Sequence, residues 1–62
     1  MTLQALSTYV LHRLNSFEEL VNDADYGKNR AIKGLKSWQG SNSHRLTDAD
    51  NAAIKWAINA NK

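Results

Sequence analysis

Lys28, Asn29, Arg30, Lys33, Lys36, Ser37 and Arg45 are the side chains here whose types and spacing could do chemistry, and that chemistry is capture of an anion. They fall within residues 26–47, a stretch that contains no Asp or Glu. A helix over residues 30–39 gathers Arg30, Lys33, Lys36 and Ser37 on one side, with Gly34 at its edge. Ala31, Ile32, Leu35 and Trp38 then share an opposing arc of about 120°. Arg30 is the best base reader of the set, because a guanidinium bonds guanine bidentately. The lysines and Arg45 would hold phosphates, which sets position without reading sequence. Nucleic acid is the leading partner on this pattern, with an acidic protein surface as the alternative. An ordinary solvated face of an amphipathic helix accounts for the same charges without any ligand.

Other chemistries find little support. His44 has Ser41, Ser43, Asp48 and Asp50 near it in sequence, but a nucleophile–base–acid set is defined by geometry and not by proximity in a polar loop. There is no Gly-rich phosphate loop. Asp23, Asp25 and Gly27 begin like a calcium loop, yet the twelfth position is Gly34 where a Glu is required, and counting from Asp48 it is Asn59. His12 and His44 have no Cys to complete a zinc site. The expectation is a non-enzymatic binding protein without metal or cofactor.

The chain has 62 residues, no Cys and no Pro, and it suits a single small domain with a thin core. Its net charge of +2 is unevenly spread: residues 1–27 carry Arg13 against four acids, and residues 28–62 carry seven cations against Asp48 and Asp50. The first residues lack a secretory leader's charge and cleavage pattern, and no apolar run reaches the roughly 18 residues of a membrane span. A soluble, cytoplasmic protein is expected.

The elements that must position the cations read as an all-α, compact bundle of four short helices. The first covers residues 3–14, with Leu3, Leu6, Val10, Leu11 and Leu14 inward and His12 outward. Ser16 and Glu19 form a capping box that opens a second helix, whose inner stripe is Phe17, Leu20, Val21 and Ala24. Gly27 closes it, Asn29 caps the basic third helix, and Gly40 ends that helix. Gly34 inside it suggests close approach of another backbone. Thr47 and Asp50 make a second capping box, opening a fourth helix to about residue 59.

The second and third helices would form a helix-turn-helix-like pair with the basic helix as reader. The acids Glu18, Glu19 and Asp23 on the outer side of the second helix weigh against it. Trp38-Gln39-Gly40 resembles the turn of WXG-type helical hairpin proteins, over three residues only; a core Trp followed by a helix-ending Gly is the preferred reading. Trp56, set among alanines, is expected in the core, and the rival role for Ile54, Trp56 and Ile58 is a protein interface. The functional expectation is a nucleic-acid-binding regulator. The alternative is an inhibitor or adaptor of the small phage or plasmid type that binds protein, with self-association as a homodimer also open.

Overall fold

The computed structural model describes residues 6–62, and within them the chain forms three α-helices. They span Thr8–Val21 (α1), Lys28–Ser41 (α2) and Asp48–Ala60 (α3), with a single 3₁₀ turn at Ser43–Arg45 before the last. The expected four helices are therefore three, because no break occurs at Ser16. Val10, Leu14, Phe17 and Val21 recur at helical spacing, so one apolar stripe runs unbroken past Ser16. Continuing the helix keeps the amides of that turn bonded internally and leaves Ser16 in solvent. A Ser-x-x-Glu pattern caps a helix only where the chain also changes direction. The expected start near Leu3 lies outside the described residues; Leu6 and Ser7 precede the helix.

All three helices contribute to one core. Val10 and Phe17 come from α1, Ala31, Ile32 and Leu35 from α2, and Ile54 and Ile58 from α3. Full burial of a side chain such as Ile54 contributes about 1.5–3 kcal/mol. Leu14, Leu20, Tyr26, Trp38 and Leu46 close the edges of this cluster. Three expected core residues are not in it: Ala24 is exposed in the turn after α1, because the helix has already ended. Leu11 is 45% exposed and Trp56 74% exposed. Ile54 and Ile58 occupy the inward side of α3, and Trp56, two residues beyond Ile54, is turned about 200° away from it.

The helix ends share a device that the glycines were expected to supply. Asn22, Asn42 and Asn61 each follow a helix directly and donate from Nδ2 to the carbonyl four residues back, at 2.9, 2.8 and 2.8 Å. Gly40 does not stop α2, which continues through it to Ser41 and includes the whole Trp38–Gly40 triplet. Gly27 does take a positive φ of 91°, but as the residue before α2, five residues after α1 has ended at Asn22. Asn29 lies inside α2 and is not its cap. Among the described residues no backbone approaches Gly34, where an added Cβ would meet the Tyr26 hydroxyl at 4.0 Å.

The start of α3 follows expectation. Thr47 Oγ1 accepts from the Asp50 amide at 3.1 Å and Asp50 Oδ2 accepts from the Thr47 amide at 3.2 Å. Asp50 does more than cap. It is fully buried, and its carboxylate also accepts from the Ser7 amide at 3.1 Å and the Ser7 hydroxyl at 2.9 Å. Ser7 stands at the N-cap of α1, yet its hydroxyl serves Asp50 instead of its own helix. The beginnings of α1 and α3 are thereby fastened together.

Candidate anion-binding face

The sequence placed the cations on one helix, and α2 carries them with every functional group in solvent. Lys28, Asn29, Arg30, Lys33, Lys36 and Ser37 are all exposed, whereas Ala31, Ile32 and Leu35 are buried behind them. Gly40 falls among Lys33, Lys36 and Ser37 at 100° per residue, so the outer surface is low between its charged arms. Arg30 is steadied by the Tyr26 ring, with Cζ 4.4 Å from the ring centroid.

The electrostatics of α2 run against its own stability. Gly27, the residue just before it, offers no side-chain cap, and no acid stands in the first turn. Lys28 and Arg30 occupy that turn, where the helix dipole is positive and a cation costs about 0.3–1 kcal/mol. By contrast α3 begins with Asp48 and Asp50, the favourable arrangement. An anion set against the start of α2 would relieve both the charge and the uncapped amides.

Arg45 is separated from this set. It lies on the 3₁₀ turn with its Cζ 4.1 Å from the centroid of Tyr9, on the flank where α1 meets α2. Two cations that sequence reasoning left out join the α2 set from the other side. Lys55 and Lys62 line a groove with Lys36, where Gln39 Nε2 donates to Asn51 Oδ1 at 3.0 Å. The signal was present in the excess of cations after residue 28, but helical phase alone cannot say which neighbour α3 faces.

The acids lie elsewhere. Asp23 Oδ1 accepts from the amides of Asp25 and Tyr26 at 2.9 and 3.2 Å, so this acid closes the turn that follows α1. Glu18 and Glu19 are exposed on α1. For Asp50, burial by itself would raise the carboxyl, but hydrogen bonds from Ser7 and Thr47 outweigh it and hold the group below its ordinary 3.8. Of the expected interface trio only Trp56 is at the surface; Ile54 and Ile58 are buried.

Among the described residues no helix is long and apolar enough to cross a membrane. No protein-family model matches the chain, nor does any curated protein or solved structure.

Proposed function

We propose that the protein is a small non-enzymatic binder of nucleic acid, acting as a regulator through the outer face of α2. The observation that carries this reading is the set Asn29, Arg30, Lys33, Lys36 and Ser37, all exposed on one side of a helix with no acid. In this reading α2 enters a groove with α1 packed behind it, a helix-turn-helix-like arrangement in which residues 22–27 form a longer connection than the usual turn. Arg30 reads a base edge, Lys28, Lys33 and Lys36 hold phosphates, and Lys55 and Lys62 extend the positive surface.

Fluorescence anisotropy with duplex and single-stranded oligonucleotides tests it. Three phosphate contacts from Lys28, Lys33 and Lys36, or five with Lys55 and Lys62, predict that log affinity falls with log salt at a slope between about −2.7 and −4.5 on duplex DNA. Arg30→Glu with Lys33→Glu is expected to abolish binding while the helical circular dichroism stays unchanged. No binding to either form at low salt sinks the reading.

A second reading rests on Trp56. It is 74% exposed on α3, with Ala52 and Ala60 exposed beside it. Trp is enriched at binding hot spots, and this stripe suits an inhibitor or adaptor that docks on a protein. A pull-down from the native host with and without nuclease separates the two. Protein retained after nuclease and lost in Trp56→Ala favours this second reading; material lost to nuclease favours the first.

A further inference from the structure

On the flank where α1 meets the end of α2, two guanidinium groups lie over aromatic rings around one open recess. Arg13 Cζ sits 5.3 Å from the centroid of Trp38 and Arg45 Cζ sits 4.1 Å from that of Tyr9. The two rings themselves are in tilted contact, with centroids 6.3 Å apart. Arg45 is held further, because its Nε donates to Asn42 Oδ1 at 2.9 Å and its carbonyl accepts from the Tyr9 hydroxyl. His12 joins the two arginines in lining the recess, with the hydroxyls of Thr8 and Ser16 on its rim. The recess measures about 600 Å³ and no carboxylate lines it.

From this geometry we infer a binding site for a terminal phosphate monoester. A guanidinium that rests over a ring keeps its N–H donors for a ligand, and its planar fork matches phosphate bidentately. The Nε of Arg45 is engaged by Asn42, so its two terminal nitrogens remain for a ligand. A monoester carries about −1.5 to −2 charges at neutral pH, which two guanidinium groups match and a diester with a single charge does not. Arg45 is already held by the Tyr9 ring and by Asn42, so less ordering is lost there on binding than for the unsupported lysines of α2. The site stands apart from the α2 face: Lys28, Lys33 and Lys36 take no part in it.

The phosphate could sit on a mononucleotide or on the 5′ end of a strand, and one titration series distinguishes them. Uniformly labelled protein is titrated with inorganic phosphate, adenosine 5′-monophosphate and adenosine, then with one oligonucleotide bearing either a 5′-phosphate or a 5′-hydroxyl. The expected result is saturable movement of the Arg13 and Arg45 Nε–H and Trp38 indole signals with phosphate and the monophosphate, and none with adenosine. Arg13→Gln and Arg45→Gln each weaken the monophosphate by about tenfold or more, the effect of losing a charge-assisted bond. Lys33→Gln leaves that affinity unchanged, and this control keeps the outcome separate from the α2 reading. A 5′-phosphorylated strand that binds more tightly than its 5′-hydroxyl counterpart, by a margin lost in the Arg13→Gln/Arg45→Gln variant, assigns the site to strand ends; equal binding of the two strands assigns it to small monoesters. Equal binding of adenosine and its monophosphate overturns the site, as does full affinity in a folded Arg13→Gln/Arg45→Gln double variant.

Discussion

The two tryptophans report opposite environments, and each can be tested alone. Trp38 is half-buried, packs on the core cluster and supports Arg13 from below, while Trp56 projects into solvent. Trp38→Ala is expected to cost about 2–3 kcal/mol in chemical denaturation, short of the range for a fully enclosed Trp. Trp56→Ala should change stability by no more than about 0.5 kcal/mol, and Trp56→Phe should remove most of the iodide-quenchable fluorescence. Asp50 has a different signature. Its folded carboxyl lies below the ordinary 3.8, so the stability it contributes is complete above that value and is lost as pH falls through the lower folded value. Acid titration of the unfolding midpoint should therefore show an added loss below about pH 3.8 that Asp50→Asn lacks, and the variant should be weaker at neutral pH.

At the scale of elements, the ends of the helices decide more than their middles. Gly34 and Gly40 sit inside α2 with no backbone of the described residues near enough to require them. Replacing each by Ala should stabilise the domain by about 0.5–1 kcal/mol, or roughly 4–8 °C in melting temperature per kcal/mol for a chain this size. Gly27→Ala should do the reverse, because φ of 91° strains any residue with a Cβ by about 1–3 kcal/mol. The apolar stripe of α2, its charged face and the Thr47–Asp50 cap could all be read from the chain, since each is set by residues three or four apart. The fate of Ser16 could not, because a local cap signal competed with a stripe whose continuity depends on what it packs against. The asparagine ends were legible in principle, as Asn directly follows each helix, but glycine is the stronger stop signal and drew the boundaries to Gly27 and Gly40. Trp56 was misplaced for a related reason: α3 is apolar over more than half its circumference, so periodicity does not choose its inner side.

For the whole molecule, a thin core carries an uneven charge. Lys28, Arg30, Lys33 and Lys36 crowd one helix that has no acid, and that helix begins with its dipole unopposed. Raising ionic strength from about 0.01 to 0.15 M shortens the screening length from about 30 to 8 Å. The melting temperature should rise by several degrees over that range as the cations cease to repel one another. A fall or no change would show that this crowding carries no strain. The fastening between Ser7 and Asp50 bears on time as well as on stability. It joins residues 43 apart, whereas α1 and α2 adjoin each other in sequence and can pair early. If that bond closes only after α1 and α2 have paired, breaking it should leave refolding rates nearly untouched and hasten unfolding, which the two chevron arms of Asp50→Asn would read. Asp50 would thus govern how long each molecule stays folded once it has arrived, and only weakly how soon it arrives.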